Sequence, residues 1–251
     1  MSTKIKYWLI GSPLSTHQLA HKRLDKLRAL AAFSPDALSS IAYANQEIYL
    51  GLVIAGSAGL LLSWPIGLAI AGLLILVSLS YFQTIHGYPS GGGSYAVARE
   101  NLGILPGVVA SAALLIDYLL TAAVSLTADV EAIASAFPEL WPYRVTLALV
   151  FLLVITLINL RGIQETGTLM AIPVYVFVLS YLGMLTYGAL QALTGRPVDV
   201  TATALPASQP ITFLLVLGTF AAGCTALTGI EAISNGVPAF QSPQAKNAGL
   251  P

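Results

Sequence analysis

Six times along the chain a run of apolar residues extends far enough to cross a bilayer, and short polar stretches separate the runs. A hydrocarbon core of roughly 30 Å needs about 20 apolar residues per helix. The pattern predicts spans near 30–54, 62–85, 104–136, 144–161, 168–193 and 211–239. The third run exceeds what a bilayer demands and predicts one tilted helix rather than two short ones. Residues 1–29 then form an N-terminal segment, 30–239 a transmembrane domain, and 240–251 a polar end. The connections alternate in side. GYPSGGGSYAVARENLG and RGIQETG face one side, FPELWPY and TGRPVDVTATALPASQP the other.

Composition strengthens the membrane assignment. Of 251 residues, 56% are hydrophobic and 9% charged, and the mean hydropathy is +0.80, beyond an ordinary soluble domain. Basic and acidic residues balance at 11 each, so no basic surface points to nucleic acid. A single cysteine, Cys224, excludes an intramolecular disulfide. Lys4, Lys6, Lys22, Arg23, Lys26, Arg28, Arg99, Arg161 and Lys246 fall on one side, and only Arg144 and Arg196 on the other. The positive-inside rule makes the first side cytoplasmic and puts both chain ends there. HKRLDKLRAL, before the first span, fits either a short amphipathic helix on the inner surface or a plain basic anchor. No h-region and cleavage site precede the first span.

Three of the spans carry an ionisable residue where water is scarce, which costs a few kcal/mol or more and marks function or pairing. In SPDALSSIAYA, Asp36, Ser39, Ser40 and Tyr43 share one helical face. Pro35 disfavours helix at Ser34, so the entry to this span is expected to be bent or partly unwound. In LLIDYLLTAAVSLTADV, Asp117, Thr121 and Ser125 form a stripe with Tyr118 beside it. In CTALTGIEAISNG, Thr225, Thr228 and Glu231 follow at intervals of three, with Gly229 and Gly236 around IEAISN. Such stripes can serve only as interhelical glue, yet three carboxylates in three spans favour a functional role. Asp129, Glu131 and Glu47 lie nearer the outer ends and read as vestibule or interface residues. His86 reads as a surface histidine. G-x-S-x-G, H-E-x-x-H and P-loop motifs are absent, so no enzyme signature competes with transport.

YPSGGGSYAVARENLG closely resembles the cytoplasmic signature of the amino acid–polyamine–organocation (APC) superfamily of secondary transporters. Within it, FSPDALSSIAYANQEI, LLIDYLLTAAVS and GCTALTGIEAISNGVPAF are most similar to the KimA-type potassium–proton symporters. The resemblance covers essentially the whole chain. It implies an all-α, LeuT-like fold of two inverted five-helix repeats, with the first and sixth spans broken at the midplane. Here it would comprise the first repeat and one helix of the second. In the first span the break would fall near Ser39 to Ala42. No glycine occurs between Ala29 and Leu50, a departure from amino acid permeases, whose first span typically has a Gly-x-Gly-like turn for the substrate carboxylate. That departure favours a cation over an amino acid as substrate.

By the same resemblance, potassium binds at Asp36, Tyr43, Asp117, Tyr118, Thr121, Ser125, Thr228 and Glu231, with potassium and protons as the transported species and no cofactor. A carboxylate exchanging a proton for a cation would couple the two fluxes. Amino acid permeation is the alternative. The sequence ends at SPQAKNAGLP, and on this reading the 251-residue chain is a fragment without its C-terminal half, not expected to transport alone. Relatives of this type are similar in having a long cytoplasmic region that senses a cyclic dinucleotide and supports dimerisation, which this sequence lacks. The expected setting is the cell membrane, multi-pass, with lipid and possible homodimer contacts as partners.

Overall fold

The computed structural model describes residues 23–160, 163–195 and 205–249. Lys4, Lys6, Lys22, Arg161, Arg196 and the last two residues lie outside that set, as does the first part of HKRLDKLRAL. Among the described residues the regular structure is all helical, joined by short turns and a non-helical stretch at 205–212, and a single parallel bridge links Leu24 and Phe240. Helix α1 is Lys26–Val53, α2 Gly56–Leu60, α3 Ser63–Gly87, α4 Gly93–Leu102 and α5 Ile104–Ala136. A 3-10 turn at Pro138–Tyr143 leads to α6, Arg144–Asn159, and then α7, Ile163–Leu193. The last region is divided into α8, Phe213–Gly223, a 3-10 turn at Cys224–Leu227, α9, Glu231–Asn235, a second turn at Val237–Ala239, and α10, Gln244–Ala248.

Among the described residues, five helical stretches are long and apolar enough to cross a membrane: Gly56–Gly87, Ile104–Ala136, Pro138–Asn159, Thr166–Leu193 and Phe213–Asn235. Their outer surfaces are dominated by exposed leucine, isoleucine, valine and aromatic side chains, and α6 buries none of its residues. Exposed apolar area on this scale is stable only against lipid or other protein, so the chain is a multi-pass membrane protein. The third run forms one helix of 33 residues. At 1.5 Å per residue it is about 50 Å long, well beyond the hydrocarbon thickness.

α1 has the length of a span but is not among the five, because Asp36, Asn45, Gln46, Glu47 and a run of serines lower its hydropathy. It is the helix around which the others gather, packing against α7, α8, α5 and α3. One apolar cluster joins Ala44, Ile48 and Leu52 of α1 to Ile66 and Ile70 of α3 and to Ala226. A second joins Leu24 and Ala29 to Ile85, Val237, Phe240 and Ala248, so it ties the entry of α1 to the chain that follows α9. Phe33 stacks on Phe240 with ring centroids 5.6 Å apart.

Three expectations are corrected here. The first span is not broken near Ser39 to Ala42, nor unwound at Ser34: α1 runs without interruption through Pro35. A break needs a residue that accepts a left-handed or otherwise open conformation cheaply, and no glycine lies in this stretch. Ser39 Oγ instead donates to the Asp36 carbonyl at 3.0 Å, inside the helical ladder. HKRLDKLRAL does not form a separate surface helix over its described part. Leu24 is buried and paired in the bridge, its amide donating to the Ala239 carbonyl at 2.8 Å. Asp25 then caps α1, accepting from the Arg28 amide at 2.8 Å, and Lys26 to Leu30 belong to the helix itself. The connection YPSGGGSYAVARENLG is more than a loop, since Gly93–Leu102 forms α4.

Candidate functional site

The site begins where the sixth apolar run fails to continue as a helix. α8 stops at Gly223, the 3-10 turn takes over, Thr228 becomes extended, and Gly229 turns the chain at φ +83° before α9 starts at Glu231. Only glycine adopts that conformation without strain. The residue also fits for a second reason: a Cβ there would lie 2.6 Å from the Ala37 amide nitrogen and 2.9 Å from Asp36 Cγ. The break is thus pressed against α1 at Asp36. Threonine hydroxyls take up backbone carbonyls around it, Thr225 Oγ1 donating to Ala222 O at 2.9 Å and Thr228 Oγ1 to Thr225 O at 2.8 Å. Non-helical backbone at membrane depth persists where its polar groups are satisfied in this way or line a cavity.

Facing the break, α1 presents Ser40, which is fully buried, and Tyr43. Ser40 Oγ lies 2.6 Å from Thr228 Oγ1 and 3.0 Å from the Tyr43 hydroxyl. Each hydroxyl has one proton, and Thr228 gives its own to the Thr225 carbonyl. One direction satisfies the chain: Tyr43 donates to Ser40, Ser40 to Thr228, and Thr228 to the backbone.

α5 supplies the third wall. Thr121 is buried, Ser125 Oγ lies 3.4 Å from Ser39 Oγ, and the Tyr118 hydroxyl accepts a hydrogen bond from Asn235 Nδ2 at the end of α9. Glu231 is 6% exposed, and its Oε1 is buried with no hydrogen-bond partner among the described residues. Asp36 and Asp117 lie within electrostatic reach of it and of each other. These three carboxylates approach without converging: among the described residues no group of three or more His, Cys, Asp or Glu side chains closes on one metal position.

A cavity of about 740 Å³ opens beside this cluster, between α1, α5, α6 and α7. Asp36, Ser39, Tyr43, Tyr118, Thr121 and Ser125 form its polar wall, and Leu152, Ile155, Val174 and Phe177 its apolar one. Among the described residues no lysine, arginine or histidine lines it. Five of the eight predicted ion-site residues therefore border one cavity. Thr228 is joined to that group through Ser40. Asp117 and Glu231 are outside the lining, though near Asp36. Asp129 lines the cavity as well, whereas Glu47 and Glu131 do not. His86 sits at the end of α3, its Nδ1 2.8 Å from the Phe82 carbonyl and its ring against Phe82.

The sequence reading passed over two members of this network. Ser40 was visible as part of the Asp36, Ser39, Ser40, Tyr43 face, but periodicity does not tell which serine meets the sixth run. Asn235 lies four residues after Glu231, hence one turn further on the same helical face. That spacing was the available signal.

Comparison with known proteins accords with the geometry. Residues 27–250 match the amino acid permease family. The chain belongs to that family. It is also 45% identical, over 251 residues and 99% of its own length, to the potassium transporter KimA of Bacillus subtilis (strain 168). It spans 41% of that relative's length.

Proposed function

We propose that the chain handles potassium in a proton-coupled secondary transporter, with the ion passing between α1, α5 and the break before α9. The observation that carries this reading is the donor set. Hydroxyl and carboxyl oxygens of Asp36, Ser40, Tyr43, Thr121, Thr228 and Glu231 line the break or the cavity beside it, and among the described residues no basic side chain lines that cavity. Oxygen ligands of this kind suit a hard monovalent cation that has shed water. The unbroken α1 adds support, because an amino acid carboxylate would look for bare backbone amides at a helix start within the site; α1 has none there, and the start of α9 carries the Glu231 carboxyl in its first turn. Potassium is also what the relative's name gives as its substrate.

In this reading Asp36, Tyr43, Asp117, Tyr118, Thr121, Ser125, Thr228 and Glu231 form the path. Hydroxyls replace the hydration shell, and a carboxyl group takes a proton when the cation leaves. α1 serves as the first of six spans in a LeuT-like arrangement, its polar face turned to the bundle. The basic entry of α1 and Lys246 face the cytoplasm of a plasma membrane. A homodimer is compatible with the apolar outer surface.

The test replaces the matching stretch of the Bacillus subtilis transporter with this chain and expresses the chimera in cells lacking their own potassium importers. Potassium uptake accelerated by an inward proton gradient is expected, and it is lost in Asp117→Ala and Glu231→Ala. Uptake untouched by both substitutions would sink the site assignment. Amino acid permeation is a second reading, favoured by the size of the cavity, which exceeds what a bare ion needs. Uptake of labelled amino acids without any potassium response would select it.

A further inference from the structure

We infer that Asn235 positions the Tyr118 hydroxyl in the proposed ion path, and that Gly93, besides its left-handed backbone, leaves by its missing Cβ the room that the Asn235 side chain occupies. The inference rests on the potassium reading for the meaning of "path", and on geometry alone for the contact.

Asn235 is the last residue of α9, one turn beyond Glu231. Its Nδ2 donates to the Tyr118 hydroxyl on α5, 117 residues away in sequence. A phenol has one proton and two lone pairs. Accepting from the amide takes up one lone pair, which leaves the O–H and the other lone pair for the cavity that Tyr118 borders. Tyr118 is 36% exposed, so packing alone holds its hydroxyl weakly, and the amide supplies a fixed reference. The other end of the carboxamide, Oδ1, is buried and has no hydrogen-bond partner among the described residues. An asparagine that only filled space or capped a helix would normally satisfy both ends. Among the described residues the bond to Tyr118 is this side chain's one hydrogen bond.

The glycine turn explains how the carboxamide reaches that place. Gly91, Gly92 and Gly93 have φ of +79°, +91° and +45°. A Cβ on Gly93 would clash with Asn235 Oδ1, and one on Gly91 would lie 2.5 Å from Pro238 Cδ. The turn of YPSGGGSY is therefore a steric seat beneath the end of α9, and it links the connection before α4 to the orientation of a residue on α5.

The experiment uses the chimera described above. Variants are Asn235→Ala, Tyr118→Phe, their double, Gly93→Ala, and Gly93→Ala combined with Asn235→Ala. Potassium uptake kinetics and thermal unfolding of the purified proteins are read together. Loss of one hydrogen bond of ordinary strength corresponds to about a fivefold effect. Asn235→Ala is expected to raise KM for potassium by about that factor with little change in maximal rate, and the double variant to match Tyr118→Phe alone. Gly93→Ala is expected to lower the unfolding midpoint, and adding Asn235→Ala to recover part of it. An unchanged KM in Asn235→Ala, or additive effects in the double, overturns the positioning role. Failure of Asn235→Ala to relieve Gly93→Ala overturns the seat. If the parent chimera takes up no potassium, the proposed function falls instead. The contact is then judged by unfolding: non-additivity of Asn235→Ala with Tyr118→Phe upholds it, and additivity overturns it.

Discussion

Replacing Gly229 with alanine sets a methyl group where α1 already stands. The backbone there has φ +83°, a conformation that costs an L-residue roughly 1–2 kcal/mol. The new Cβ would lie 2.6 Å from the Ala37 nitrogen, 2.9 Å from Asp36 Cγ and 3.0 Å from the Asp36 carbonyl carbon. Two of these three atoms are backbone, in the middle of a 28-residue helix, so no side chain can swing aside to relieve the first contact. Overpacking of this kind costs roughly 1–3 kcal/mol. Together the two effects predict a loss of about 2–5 kcal/mol, with the break and α1 pushed apart. The matched control is Gly67→Ala on α3, where an added Cβ meets nothing within 4 Å. There alanine is expected to be neutral or to gain up to about 1 kcal/mol from helix propensity. Thermal unfolding in a mild detergent, followed by tryptophan fluorescence or by aggregation, distinguishes the two. A Gly229→Ala protein that unfolds at or above the temperature of the Gly67→Ala protein would refute the claim that the break is seated on Asp36 and Ala37.

Other outcomes follow from single buried groups. Ser40→Ala leaves the Thr228 and Tyr43 hydroxyls without the partner that joins them; the expected loss is about 1–3 kcal/mol, and restoration by Ser40→Thr but not by Ser40→Val would show that the hydroxyl is what matters. Phe240→Ala removes a fully buried ring stacked on Phe33 and should cost about 3–5 kcal/mol; a smaller loss in a denaturation series would mean that the Leu24 bridge does not need it. Thr219 is 3% exposed, its hydroxyl has no hydrogen-bond partner among the described residues, and it faces Gly51. Thr219→Val keeps the shape and removes the orphan, so the unfolding midpoint should hold or rise. A marked fall would reveal a polar partner for that oxygen.

Much of the membrane architecture was legible from the pattern of apolar residues. The 33-residue third run appears as one helix, Ile104–Ala136, and the Arg144 start of the fourth agrees with its polar boundary. Such boundaries are readable because each span must bury a continuous apolar surface and satisfy its backbone locally. The interruption after Cys224 was legible too, since two glycines and a glutamate have no reason to sit in a lipid-facing helix. The break expected in α1 was not observed. It was inferred by resemblance, and in this chain the stretch lacks the glycine that would make the conformation inexpensive.

The candidate site divides along the same line. One-dimensional spacing put Asp36, Ser39, Ser40 and Tyr43 on one face of α1, and Asp117, Thr121 and Ser125 on one face of α5, because helical geometry depends only on local order. Which hydroxyl meets which depends on how helices distant in sequence cross and rotate. Only the tertiary structure pairs Ser40 with Thr228 across 188 positions, and Asn235 with Tyr118 across 117. It likewise places Glu231 in a buried position with an oxygen unpaired, and Gly93 against an asparagine far along the chain. By itself the sequence determined that this chain belongs in a bilayer and which residues were too polar to be there without a reason. The packing of α1 against the break decided which of them act together, since that choice is made by side-chain contacts between helices that no local pattern encodes.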